Sequence, residues 1–284
     1  MRFKKIIISS LLLTVVISLT IFNAYKVNPE QLHIRKEVIT STKLDKSFND
    51  FLMVFFSDLH YGEISDEYLD EVIEKINSLD PEVVLFGGDL VDHYSNKPLN
   101  DEEREQLINA LAKIEAPLGK FAVLGNHDLD SENTKNAITN ILEAADFNII
   151  TNKSVAIHNF QGASFNLIGL DSLALGNPDI KEAFSLIDES LYNLVLCHTP
   201  DIVDELPNSA DYMLSGHSHG GQVYIPIVSS QFVPYGSQKH YHGKYQNANG
   251  TILDITNGIG TTAKKVRLNA DSEIVAYKFK INNQ

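Results

Sequence analysis

Apolar residues fall into short unbroken runs, separated by stretches in which they recur at helical spacing. Phe51-Leu52-Met53-Val54-Phe55-Phe56 is continuous and apolar, the pattern of a strand buried on both faces. Between Ser65 and Leu79, residues Leu69, Val72, Ile73, Ile76 and Leu79 stand three or four apart behind an acidic first turn, which predicts an amphipathic helix. Val83-Val84-Leu85-Phe86 predicts a second buried strand, residues 101–114 a helix, and Phe121-Ala122-Val123-Leu124 a third strand. Strand, helix, strand, helix, strand implies parallel βαβ units with right-handed crossovers. A helix over 132–145 follows, then several short antiparallel strands over 147–170 with a hairpin turn at Asn159 to Ala163. Residues 178–190 read as helical, Leu194-Val195-Leu196 and Tyr212-Met213-Leu214 as strands, and 251–281 as β-rich. The expected class is α/β, a two-layer sheet core flanked by α-helices.

The N-terminus has a different pattern. Arg2, Lys4 and Lys5 precede an uncharged stretch from Ile6 to Tyr25, about the 20 residues that an α-helix needs to cross a bilayer. No small-x-small cleavage site closes it cleanly, since Phe22 and Asn23 lead into Ala24 and Tyr25. An uncleaved signal anchor is therefore the favoured reading and a cleaved, secreted form the alternative. The basic tip favours a single-pass cell-membrane protein with its domain outside the cytoplasm, although Lys26, Arg35 and Lys36 on the far side act against that orientation. The expected organisation is an anchor over 1–25, a linker over 26–50 that includes one early strand around Lys36–Thr40, and one domain over 51–284.

Composition narrows the function classes. The chain has 284 residues, 43% of them hydrophobic, enough for a sizeable core. Its formal net charge of −14, with no compensating basic patch, argues against a nucleic-acid partner. Cys197 is the only cysteine, so an intrachain disulfide and a cysteine-rich zinc site are both excluded, and its place in an apolar strand marks it as a core residue.

The chemistry sits in five blocks at or near strand ends: Asp58-Leu59-His60, Gly88-Asp89-Leu90-Val91-Asp92, Gly125-Asn126-His127-Asp128, His198 in Leu196-Cys197-His198-Thr199, and Gly216-His217-Ser218-His219. Open α/β sheets place their sites at the carboxyl ends of strands, so the blocks should converge on one rim. Asp58 and His60, two apart, can project toward one ion. Asp89 follows two glycines whose small size permits close approach between two ions. Asn126 offers a neutral carbonyl oxygen, and His198, His217 and His219 offer imidazoles. Carboxylate, imidazole and amide without thiolate suit Zn, Mn or Fe, and more than five protein ligands exceed one tetrahedral site, which points to two metals.

Taken singly, each block has a plainer explanation: a helix cap or turn for Asp58 or Asp89, a satisfied core imidazole for His198. Their joint order after apolar strands makes five coincidences a poor account. His33, His93, His158, His240 and His242 fall outside the set and read as surface or loop residues, with His240 and His242 near enough in sequence to border the site.

With these residues in view, the chain resembles the calcineurin-like metallophosphoesterases, and among them the membrane-anchored branch whose last metal block reads Gly-His-Thr-His-Gly-Gly-Gln. Here that block is Gly216-His217-Ser218-His219-Gly220-Gly221-Gln222. The likeness runs from Phe51 to the C-terminus and includes Asn257-Gly258-Ile259-Gly260-Thr261 and Arg267. It implies a metallophosphoesterase-type two-sheet β-sandwich flanked by helices. It also implies that Asp58, His60, Asp89 and His219 hold one metal and Asp89, Asn126, His198 and His217 the other, with Asp89 bridging. A hydroxide bridging the ions would attack phosphorus in line, with no phosphoenzyme. His127 would serve the leaving group or the transition state, oriented by Asp92. Branch members are commonly described as phosphodiesterases or as similar to UDP-diacylglucosamine pyrophosphatase. The resemblance thus implies a phosphorylated small-molecule or lipid-linked substrate, with the membrane engaged through the N-terminal helix. A noncatalytic metal-binding scaffold and a nucleotide phosphodiesterase are the alternatives. The segment Tyr224-Ile225-Pro226-Ile227-Val228 to Phe232-Val233-Pro234-Tyr235 is unusually apolar for a loop beside a metal site; an acyl-chain contact and core packing are both open for it.

Overall fold

The apolar runs become strands because each is covered on both faces. The computed structural model describes residues 2–92 and 94–281, so the expectation for His93 lies outside the described residues. In chain order the elements are α1 (Arg2–Lys26), β1 (His33–Thr40), β2 (Leu52–Phe56), α2 (Asp66–Ser78), β3 (Val83–Phe86), α3 (Asp101–Ala112), β4 (Lys120–Ala122), α4 (Glu132–Ala144), β5 (Phe147–Ile149), β6 (Lys153–His158) and β7 (Ser164–Leu170). The one-turn α5 (Ile180–Ala183), β8 (Asn193–Cys197), β9 (Tyr212–Ser215), β10 (Gly243–Gln246), β11 (Ile252–Ile255) and β12 (Glu273–Lys280) complete the chain.

Two six-stranded sheets face each other, ordered β1-β12-β2-β3-β4-β5 and β10-β11-β9-β8-β7-β6. The run β2-β3-β4-β5 is parallel, with α2, α3 and α4 as its crossovers. In the second sheet β7, β8, β9 and β11 are parallel, and β6 and β10 are antiparallel edges. Period-two alternation divides each strand between two cores. Met53, Phe55, Leu85 and Val123 meet Phe165, Leu167, Leu196 and Leu214 between the sheets. Val54, Phe56, Val84 and Phe86 pack outward against α2, α3 and α4. On the outer face of the second sheet, Ile168, Val195, Cys197 and Met213 pack on Ala183, Ile202 and Val203. Cys197 is a buried core residue as expected, and burial pushes its thiol up to about 12.

The helices start where their caps dictate. Ser65 accepts from Tyr68 N–H at 3.2 Å, Asn100 and Glu103 form a reciprocal capping box, and Ser131 accepts from Thr134 N–H at 3.1 Å.

Two expectations need correction. Residues 147–149 are not part of an antiparallel group: β5 pairs parallel with β4, because α4 carries the chain over as a further right-handed crossover. The antiparallel hairpin is β6-β7 alone, turning at Asn159, whose side-chain oxygen accepts from Gln161 and Ala163 N–H at 3.0 Å each. The helix expected over 178–190 is only Ile180–Ala183; Ser185 bonds back to Glu182 O, and Asp188 captures the Ser190 N–H and hydroxyl, so local side chains compete with the helical ladder.

Strand β1, inside the stretch read as a tether, pairs with β12 along its whole length, from His33↔Glu273 to Thr40↔Lys280. Arg35 on β1 reaches across to the second sheet, 2.9 Å from Asp254 Oδ1 on β11, and also contacts Glu37 and Glu273. Tyr212 and Tyr277 hydroxyls donate to Asp254 Oδ2 at 3.1 and 2.7 Å, so this buried carboxylate is paired from three directions. Helix α1 is long and apolar enough to cross a membrane, and its side chains from Phe3 to Phe22 lie exposed.

Candidate metal centre

All five blocks sit at carboxyl ends: Asp58 and His60 after β2, Asp89 and Asp92 after β3, Asn126 and His127 after β4, His198 after β8, and His217 and His219 after β9. Because both sheets run their parallel strands toward the same rim, residues 159 positions apart, such as His60 and His219, become neighbours.

Among the described residues, three groups of close donors result. Asp58, His60 and His219 form one; Asp89, His198 and His217 form a second; and His60 joins Asp92 and His127 in a third. In the first, Nε2 of His60 lies 3.1 Å from Nε2 of His219, and His219 Nε2 lies 3.5 Å from Asp58 Oδ1. In the second, His198 Nε2 lies 3.2 Å from Asp89 Oδ2, 3.2 Å from Asn126 Oδ1 and 3.1 Å from His217 Nδ1. Asp89 Oδ2 is also 3.9 Å from His60 Nε2, which puts this carboxylate between the two groups.

The other ring nitrogens are engaged in ways that fix the tautomers. His198 Nδ1–H donates to Gly87 O at 2.8 Å and His217 Nε2–H to Tyr235 O at 2.8 Å, which leaves Nε2 of His198 and Nδ1 of His217 as the nitrogens that face the Asp89 group. His60 Nδ1 lies 3.3 Å from Asp92 Oδ1, leaving Nε2 to face His219. Buried oxygen and nitrogen donors converging from several strands, with paired imidazole nitrogens facing one another near 3 Å, fit two divalent cations.

The charges are arranged accordingly. Burial opposes ionisation of Asp89, yet His198, His127 and His60 hold it well below the usual carboxylate range. Burial also opposes charging of His198, but Asp89 outweighs it and raises the ring to about 9, the same negative field that would attract a metal cation. Burial, with His198 beside it, lowers His217 to about 4, and burial lowers His219 to about 3, with His60 adding to the effect, so both favour the neutral ligand form. Although burial works against its charged form, His127 rises to about 9 through contact with Asp92 and the charge of Asp89.

The backbone at these positions is unusual. Asp58, His60, Asp89, His217 and His219 all have positive φ, between 47° and 68°, whereas Asn126 and His198 do not. Such conformations are rare for residues with a Cβ and collect at functional sites. Close approach demands glycine nearby: a Cβ on Gly125 would overlap the Asp89 carboxylate, and one on Gly216 would overlap that of Asp58.

Two residues of the rim escaped assignment from sequence. Asp128 accepts from the N–H groups of Asp89, Leu90 and Gly125 at 2.7, 2.9 and 2.8 Å, tying the β3 and β4 loops together; burial and the Asp89 charge push its own carboxyl up to about 6. It stands in a quoted block, but nothing in the spacing separates a clamp from a ligand. Arg267 is fully buried, and its guanidinium donates to the carbonyls of Ala270, Asn257, Gly258 and Gly260 at 2.7, 2.9, 3.1 and 2.5 Å. It thereby shapes the loop whose Gly260 N–H donates to Asp58 O at 2.7 Å and whose Gly258 packs on the Asp58 side chain.

The other described histidines lie outside the three groups. His33 is 3.9 Å from Asp271, His158 is exposed on β6, and His240 pairs with Asp201 at 3.2 Å. His242 borders the last block, with Nδ1 3.1 Å from Gly220 O and its ring stacked on Tyr224.

The calcineurin-like phosphoesterase family model matches residues 51–221, from the strand before Asp58 to the end of the last histidine block. The chain belongs to that family. It is a metal-dependent phosphoester hydrolase. Among similar proteins, the phosphoesterase is 29% identical over 257 residues to the uncharacterized metallophosphoesterase YkuE of Bacillus subtilis (strain 168), covering 90% of this chain and 88% of that one. An uncharacterized metallophosphoesterase of Helicobacter pylori (strain J99 / ATCC 700824) is 28% identical over 253 residues, 86% of this chain and 64% of that protein. UDP-2,3-diacylglucosamine pyrophosphatase LpxG of Chlamydia trachomatis serovar D is 27% identical over 249 residues, 68% of this chain and 73% of that one.

Proposed function

We propose that the phosphoesterase hydrolyses a phosphodiester or pyrophosphate bond in a lipid-linked or envelope substrate, using two divalent ions. The observation that carries this is Asp89, a buried carboxylate lying between two groups of donors drawn from five strand ends. Asp58, His60, Asp89 and His219 would hold one ion, and Asp89, Asn126, His198 and His217 the other. Bound there, the pair would supply Lewis acidity toward phosphoryl oxygens and an activated water.

The chain's own groups supply the rest. His127, 3.0 Å from Asp92 and 18% exposed at its side chain, would serve as the proton donor to a leaving oxygen. Asp92 holds the ring at Nδ1. Asp128 and Arg267 fix the loops that carry Asp89 and Asp58, so the donors keep their spacing without moving.

Helix α1, read as an uncleaved anchor with residues 51–284 outside the cytoplasm, supports a membrane substrate, as does the pyrophosphatase activity named for the chlamydial relative. A panel of a nucleotide-sugar lipid pyrophosphate, phospholipids and aryl phosphodiesters, each with Mn, Zn and Fe, tests the proposal. Turnover of the lipid pyrophosphate well above the aryl esters supports it, and turnover of the aryl phosphodiesters alone refutes it.

A further inference from the structure

The segment leaving α1 and the wall of the metal centre are tied to the same short piece of chain. Arg267 N–H donates to Ala24 O in the last turn of α1 at 2.9 Å, and Asn28 Nδ2 donates to Arg267 O at 3.1 Å. The next residue, Leu268, donates to Gln222 O at 3.0 Å and accepts from Tyr224 N–H at 2.8 Å. Gln222 and Tyr224 follow directly on the His217–Gly221 block. The exit of α1 and the start of the 225–235 loop are thus about two strand spacings apart, roughly 10 Å.

That loop is not packed into the core, contrary to one of the two readings open from sequence. Ile225, Ile227, Val228, Phe232 and Tyr235 are exposed, Ile227 by 89% and Phe232 by 80%. Ile227 also has φ 74°, a conformation that β-branched residues seldom adopt. The loop returns to the site, where Tyr235 O accepts from His217, and Phe232 and Pro234 line a cleft of about 580 Å³ together with His217, His219 and Lys264. Single exposed apolar residues such as Phe160 are ordinary, but a contiguous group beside an active-site cleft marks a surface that meets something apolar.

We propose that the 225–235 loop is a second membrane contact, dipping into the interface of the bilayer that α1 crosses, so that the cleft opens at the lipid surface. The proposal rests on reading α1 as an anchor. The occupant is a bilayer because the loop emerges beside the end of α1, and because its composition of aliphatic tip and bordering Phe and Tyr is that of an interfacial segment. Lys26 at the end of α1 and Lys264 in the cleft add positive charge at the level of lipid headgroups.

The chain contains no tryptophan, so one introduced residue reports alone. Full-length Phe232→Trp and Ile227→Trp proteins, with Phe160→Trp at the tip of the distant β6-β7 hairpin as reference, are placed in phosphatidylcholine and phosphatidylglycerol vesicles with and without brominated acyl chains. The two loop tryptophans should emit at shorter wavelength than the reference and lose more than half their intensity in brominated vesicles, while the reference is unchanged. Solvent-like, unquenched emission from both loop positions in protein that resists alkaline carbonate extraction overturns the loop contact and leaves the anchor standing. Release of the protein by carbonate overturns both. The three substitutions are at exposed sites, and matching circular dichroism spectra show that the fold is retained.

Discussion

Oδ1 of Asp92 lies 3.0 Å from Nδ1 of His127, and the same oxygen lies 3.3 Å from Nδ1 of His60. One carboxylate therefore orients both a proposed acid and a proposed ligand. His127→Ala should lower turnover by about a hundredfold, the usual range for a positioned acid, with both metals retained. Asp92→Asn should cost less in turnover but should also weaken metal binding by about tenfold, through the lost support of His60. Steady-state kinetics alongside metal titration checks both; loss of metal in the His127 variant would reassign that residue to the ligands.

Asp89 stands between the donor groups, so its replacement should cost more than that of any ligand to a single ion. Asp89→Asn should fold, bind fewer than two ions per chain and lose nearly all activity, whereas His219→Asn should keep one ion. Elemental analysis of purified protein measures this directly. Two ions and full activity in the Asp89 variant would refute the bridging role.

Anchoring by α1 predicts that full-length protein fractionates with membranes and resists high salt, since a spanning helix is held by apolar transfer. A chain starting near Lys26 should be soluble and active on small phosphodiesters. One starting at Phe51 should fail to fold, because it lacks β1, the buried Phe48 and the Arg35 partner of Asp254. A mature N-terminus after Ala24 in protein free of membranes would instead mark the stretch as a cleaved signal, and a well-folded 51–284 chain would make β1 dispensable.

Arg267→Met removes the guanidinium donors to the carbonyls of Ala270, Asn257, Gly258 and Gly260 and should destabilise the protein by about 2–4 kcal/mol. Urea unfolding measures the loss. A change below about 0.5 kcal/mol, the level of an ordinary surface substitution, would mean that the carbonyls find other partners.

The parallel strands and their helices were legible because doubly covered strands and amphipathic helices leave opposite signatures, as Val83–Phe86 and Leu69–Ile76 show. The convergence of the donor residues followed from their places after strands. What spacing does not carry is which hydrogen bond a polar group makes. Asp128 differs from Asp89 only in where its loop turns, and Arg267 could not be told from a surface arginine without the folded carbonyls around it. Residues 147–149 differ from expectation because a three-residue strand carries too little pattern to fix its direction, and 184–190 because Ser185 and Asp188 act locally against a pattern that reads as helical.

The left-handed backbone at Asp58, His60, Asp89, His217 and His219 restricts the alphabet of side chains that those turns accept. Asn, Asp and His, with Gly, are the residues that tolerate this conformation most readily, and the first three are also oxygen and nitrogen donors to divalent ions. Backbone geometry and coordination chemistry therefore select the same letters at five of the seven proposed ligand positions. A descendant of this chain released from catalysis would keep those five recognisable through folding alone, and the first positions free to drift to aliphatic residues would be Asn126 and His198, whose backbone is ordinary.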